Sequence, residues 1–140
     1  MGSFRVLLVD DEEDFTDTLV SRLKKRQIAV EGVYGGRQAL AHLETHPVDV
    51  VVLDVRMQDM DGIETLKEIK ARYPLIEVLM LTGHANMEVA IEGMQLGAFD
   101  YLMKPIEIDQ LLYKIQDAYQ KKSIQDMKIE RQRQSSKSSE

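Results

Sequence analysis

Five polar residues stand where short apolar runs stop. Asp10 and Asp11 follow the largely apolar run 4–9, Asp54 follows 48–53, Thr82 follows 78–81 and Lys104 follows 101–103. If these runs are neighbouring parallel strands, their carboxyl ends line one sheet edge, and three carboxylates, a hydroxyl and an ammonium share one crevice. Two carboxylates at about 5 Å repel by roughly 3 kcal/mol at an effective dielectric near 20, so the trio needs positive charge. Lys104 supplies part of it. A hard divalent cation such as Mg2+, which prefers carboxylate, carbonyl and water oxygens, suits the rest. A carboxylate nucleophile beside such a cation, facing a hydroxyl and an ammonium, has the parts for phosphoryl transfer, where a protein chiefly positions groups and stabilises charge on the transferred oxygens.

The elements that must hold these residues are written in two alternating periods. The runs are rich in Val, Leu and Ile and apolar on both faces, as strands buried between helices are. Between them come helical repeats: Phe15, Leu19 and Leu23; Ala39, Leu40 and Leu43; Ile63, Leu66, Ile69 and Tyr73; Met87, Ala90, Ile91 and Met94; and Ile108, Leu111, Leu112, Ile115, Ala118 and Tyr119. Gly35-Gly36, Pro47, Asp61-Gly62, Pro74 and Gly97 punctuate the boundaries. The order βαβαβαβαβα, with residues 29–33 as the shortest strand, predicts an α/β fold with a doubly wound five-stranded parallel sheet and helices on both faces. In such sheets ligands bind outside the carboxyl ends of the strands, which is where the five polar residues fall.

Composition narrows the class. At 140 residues the chain suits one core, and 44% hydrophobic with 30% charged residues is a globular balance. It has no cysteine, which excludes disulfides and thiolate metal sites. The formal charge of −6 argues against direct contact with nucleic acid or an acidic membrane surface. No apolar stretch reaches the roughly 20 residues of a membrane span and no signal peptide opens the chain, so a cytoplasmic location is expected. His42 and His46 read as surface residues, the three scattered histidines lack metal-ligand spacing, the eight methionines read mostly as core packing, and the glycines lack the spacing of a dinucleotide or P-loop motif.

Four segments, in order, resemble the receiver domain of two-component response regulators: Val9-Asp10-Asp11-Glu12, residues 53–62 around Asp54, Leu81-Thr82-Gly83, and residues 101–105 ending in Lys104-Pro105. The likeness covers residues 4–119. The stretch 82–105 is most similar to receivers of the nitrogen-regulator type, which precede a transcription-activating ATPase. The resemblance implies the flavodoxin-like strand order 2-1-3-4-5 and a set of roles. Asp54 is the phosphoacceptor for a phosphohistidine on a sensor histidine kinase or phosphotransfer protein. Asp11, Asp54 and the backbone carbonyl of Arg56 bind Mg2+, and Asp10 does so through water. Lys104 and Thr82 contact the phosphoryl oxygens, Tyr101 is the switch residue that moves with Thr82, and Arg56 and His84 tune the lifetime of the phosphoform. Lys104-Pro105 is expected to be a cis peptide. The face formed by the helix of residues 86–96, the strand ending at Met103 and the last helix is expected to carry the output or a homodimer contact.

Gln58 departs from the family, which usually has proline there. Glutamine keeps a backbone donor that proline lacks, and a more mobile loop over residues 57–60 is expected. Asp61 and Glu12 read as capping and loop residues. The receiver is expected over residues 1–122. Residues 123–140 are expected to form a helical extension or linker, with a disordered tail from Gln134, leaving either a stand-alone receiver or the front of a larger regulator. Three other readings share parts of the pattern. A haloacid-dehalogenase-like phosphohydrolase would want an aspartate where Arg56 stands. A flavin module would meet repulsion from the acidic trio. An interaction module that is never phosphorylated would not need an intact acidic pocket.

Overall fold

The computed structural model describes residues 4–58, 60–83 and 86–138. Strands β1 (Arg5–Val9), β2 (Ala29–Val33), β3 (Val50–Asp54), β4 (Glu77–Thr82) and β5 (Asp100–Met103) alternate with helices α1 (Glu13–Lys25), α2 (Gly36–Thr45), α3 (Gly62–Arg72), α4 (Met87–Gln95) and α5 (Ile108–Ser138). All pairings are parallel and the sheet order is β2-β1-β3-β4-β5, the flavodoxin-like doubly wound arrangement expected from the sequence.

The apolar runs alternate between two cores. Val6, Leu8, Val50, Val52, Leu79 and Leu81 pack with Leu19 and Leu23 of α1 and with Leu111, Ile115 and Ala118 of α5. Their neighbours Leu7, Val9, Val51, Leu53, Val78 and Met80 pack on the other face with α2, α3 and α4, through Leu40, Leu43, Leu66, Ile69 and Ala90. With side chains pointing to opposite faces at every step, a strand covered on both sides must be apolar throughout, which is why these runs show no polar alternation.

Registers decide which residues arrive at the edge together. Val9 lies beside Val33 and Leu53, and Asp54 beside Leu81, so Asp10 leaves β1 as β3 ends in Asp54. Thr82 is the last residue of β4 and pairs with Met103, which puts Lys104 one step beyond. The backbone N–H of Lys104 donates to the Thr82 carbonyl at 2.8 Å, and that of Val55 to Leu81 at 3.1 Å, extending the ladder to the edge.

Helix ends use local chemistry. Asp61 caps α3, its carboxylate accepting from the Glu64 N–H at 2.9 Å. Gly62 follows because α3 starts against the chain leaving Asp54: a Cβ there would sit 2.5 Å from the Asp54 carbonyl oxygen. Gly97 takes φ +105° after α4, a left-handed conformation that glycine adopts without strain. At the end of α1 the same kind of turn falls on Gln27, with φ 66°.

Helix α5 is continuous through Ser138, where the sequence suggested a disordered tail from Gln134. A helix already nucleated and docked adds residues at the cost of propagation alone, and Gln, Arg and Lys propagate well. Beyond the sheet it is tied down by Lys121, 3.1 Å from the buried Glu77, and by Lys122, 2.9 Å from Asp49, while Lys122 also pairs within the helix with Asp126 at 2.8 Å. Glu77 also faces Lys70 at 3.4 Å.

Candidate functional site

The strand ends bring the predicted carboxylates together. One oxygen from each of Asp10, Asp11 and Asp54 lies within 4.8 Å of the others. Asp10 is fully buried, Asp54 is buried and Asp11 is half-buried. These are hard oxygen donors from separate segments converging on one point, and they fit a small divalent cation.

Asp10 is the most constrained. Its Oδ1 accepts from the Glu12 N–H at 3.0 Å and its Oδ2 from Lys104 Nζ at 3.1 Å. Thr16, fully buried on the first turn of α1, donates its hydroxyl to the Asp10 carbonyl at 2.8 Å. Lys104 Nζ also lies 3.8 Å from Asp54 Oδ2 and 3.7 Å from Glu12 Oε1, and sits over the Phe15 ring at 4.6 Å. One ammonium is thus shared by two buried carboxylates and an aromatic face. Glu12 has no side-chain capping bond and instead reaches towards Lys104.

Ionisation follows from this crowding. Burial, with the charge of Asp10 adding to it, pushes the Asp54 carboxyl up to about 7, against the opposing pull of Lys104 and of the Arg56 N–H, 3.3 Å from Oδ1. Burial alone would lower Lys104, but Asp54 and Asp10 outweigh it and hold the ammonium above its ordinary value. Burial and the neighbouring Asp10 charge thus favour the protonated form of Asp54 over what an exposed carboxyl would hold.

Asp11 has a different partner. Its Oδ2 accepts the backbone N–H of Gln58 at 3.0 Å, joining the β1–α1 loop to the β3–α3 loop. Thr82 is fully buried, and its hydroxyl donates to the carbonyls of Gly83 at 3.1 Å and Asn86 at 3.3 Å, into the β4–α4 loop. Tyr101 is half-buried and packs against the core on the α2–α4 side of the sheet. The Lys104-Pro105 peptide is cis. Arg56 is exposed beside the site, and His84 lies outside the described residues.

Asp10, Asp11, Asp54 and Lys104 are thus assembled as expected. Thr82 stands at the same edge with its hydroxyl engaged elsewhere. Two contributors were not singled out from sequence, and a third was singled out only for the backbone donor it keeps. Phe15 and Thr16 read only as part of a helical segment, and the use made of the Gln58 amide depends on the path of a loop.

A family model described as the response regulator receiver domain matches residues 6–116. The chain is 42% identical over 110 residues to the transcriptional regulatory protein ZraR of Salmonella typhimurium, covering 79% of this chain and 25% of that protein. It is 39% identical over 114 residues to a putative response regulator, NtrX-like, of Rickettsia bellii, covering 80% and 24% respectively. The chain therefore spans about a quarter of the length of these curated relatives. The crystal structure of the receiver domain of NtrX from Brucella abortus superposes with a TM-score of 0.78 at 32% identity, covering 82% of this chain and 98% of that one. With the fold, the acidic edge and the matched residues in agreement, the chain belongs to the response regulator receiver domain family.

Proposed function

We propose that this chain is a phosphoacceptor switch in which Asp54 takes a phosphoryl group from a phosphohistidine on a sensor kinase or phosphotransfer protein. The observation that carries the reading is the convergence of Asp10, Asp11 and Asp54 within 4.8 Å, with Lys104 bridging two of them. Asp54 Oδ attacks phosphorus, the P–N bond of the donor breaks, and an imidazole protonated on its other nitrogen leaves neutral. Asp11, Asp54 and the Arg56 carbonyl are the groups to hold Mg2+, with Asp10 acting through water. When bound there, Mg2+ would supply positive charge that offsets the ionised carboxylates and the phosphoryl oxygens. Lys104 neutralises a further oxygen.

The switch follows from added charge. An aspartyl phosphate brings close to two negative charges and three acceptors, which favours whatever arrangement lets Thr82 donate to it. The Thr82 hydroxyl must then leave the carbonyls of Gly83 and Asn86, releasing the β4–α4 loop, and Tyr101 follows into the space vacated. Arg56 and His84 set the lifetime of the phosphoform. The output face is α4-β5-α5, where Ile91, Met94 and Tyr113 are exposed apolar side chains. It serves a partner or a second copy of the chain. Residues 1–122 act as the receiver and the segment from 123 onward as a helical extension or linker, in a cytoplasmic protein that makes no nucleic-acid contact through this segment.

Incubation with acetyl phosphate and Mg2+ tests the reading. Intact mass is expected to show one phosphoryl group added to the wild type and none to Asp54→Asn, with slow decay afterwards. Continuous turnover of small phosphate esters would favour a phosphohydrolase, and no labelling with any donor would favour an interaction module.

A further inference from the structure

The three carboxylates do not share one source of support. Lys104 reaches Asp10 at 3.1 Å and Asp54 at 3.8 Å, whereas Asp11 is held by the Gln58 N–H at 3.0 Å. The bond spans 47 residues of sequence and ties two loops across the mouth of the site. Asp11 is half-buried in the β1–α1 loop, so its carboxylate has orientations to lose unless something fixes it. An amide donor satisfies one carboxylate oxygen, fixes its orientation and leaves the other oxygen for a cation. The Gln58 side chain plays no part, because the donor is backbone. Any residue would provide it except proline, which has no N–H.

We propose that the backbone amide of Gln58 is a positioning group for Asp11 that raises the affinity of the acidic cluster for Mg2+. The proposal rests on the receiver reading and extends it to a residue outside the cluster. Outer partners that orient a ligand commonly change metal affinity by 10- to 100-fold, and this one lies near solvent, so an effect of about tenfold is expected.

The variants Gln58→Pro and Gln58→Ala separate amide from side chain. Titrating Mg2+ into each metal-free protein and following the amide signals of residues 10–12 by NMR gives the affinity without phosphoryl transfer. Gln58→Pro is expected to bind Mg2+ about tenfold more weakly than wild type, and Gln58→Ala to match it. Equal affinities for wild type and Gln58→Pro would overturn the proposal, as would an equal loss in Gln58→Ala. A second measurement needs neither cation nor a folded proline variant. The Gln58 amide of the metal-free wild type is expected to exchange slowly and to lose that protection in Asp11→Ala. Rapid exchange in the wild type would overturn the proposal too. Failure of the wild type itself to bind Mg2+ or accept a phosphoryl group would instead strike the receiver reading, so the two failures are distinguishable.

Discussion

As the proposed phosphoacceptor Asp54 would have to be a carboxylate, yet it is buried beside Asp10 and its carboxyl is pushed up from 3.8 to about 7. The folded metal-free protein thus binds a proton at Asp54 between these values while the unfolded chain does not. The stability from this group is full below about pH 4 and is lost as pH rises through 7. Denaturant titrations of metal-free protein from pH 4 to 8 are expected to show a fall of a few kcal/mol that Asp54→Asn largely removes. Saturating Mg2+ should restore wild-type stability at pH 8 and leave Asp54→Asn less affected. Identical pH profiles for the two proteins would contradict this. Thr82 offers a second test at this scale, because its hydroxyl is engaged with Gly83 and Asn86. Thr82→Ala should still be phosphorylated, but beryllofluoride should no longer shift the amide spectrum of residues 86–103 as it does in wild type. Residue types and strand-end positions made Asp10, Asp11, Asp54 and Lys104 legible in the sequence. The direction of the Thr82 hydroxyl and the bond from Gln58 to Asp11 were not, since each depends on loop backbone that periodicity does not describe.

At the scale of elements, the turns between strand and helix hold the site. The first residue of α3 touches the chain leaving Asp54, so Gly62→Ala should displace the β3–α3 loop and cost about 1–3 kcal/mol, read by denaturation. The opposite sign is expected at Gln27, which holds a left-handed φ of 66° at the end of α1. There Gln27→Gly should stabilise by about 0.5–1 kcal/mol, and a loss of stability would count against the assigned strain. The alternation of periods foretold the ten strands and helices named among the described residues, because a strand buried on both faces and a helix with one apolar stripe leave different patterns. Ends were harder to read. Asp54 and Thr82 close strands β3 and β4 rather than following them, because ladder bonds continue past the last apolar residue.

Over the whole molecule, one sheet edge carries the carboxylates, and α5 extends well beyond the sheet. Its docking by Lys121 on Glu77 and Lys122 on Asp49 comes from tertiary structure, which composition does not describe. The central claim is that this edge is a phosphoryl-accepting site with Asp54 as its nucleophile. Borohydride reduces an aspartyl phosphate to homoserine, which marks the acceptor. After incubation with acetyl phosphate, peptide mapping is expected to find homoserine at position 54 when Mg2+ is present and at no position after chelation. Homoserine at another position, or its absence throughout despite a saturating donor and Mg2+, would contradict the account.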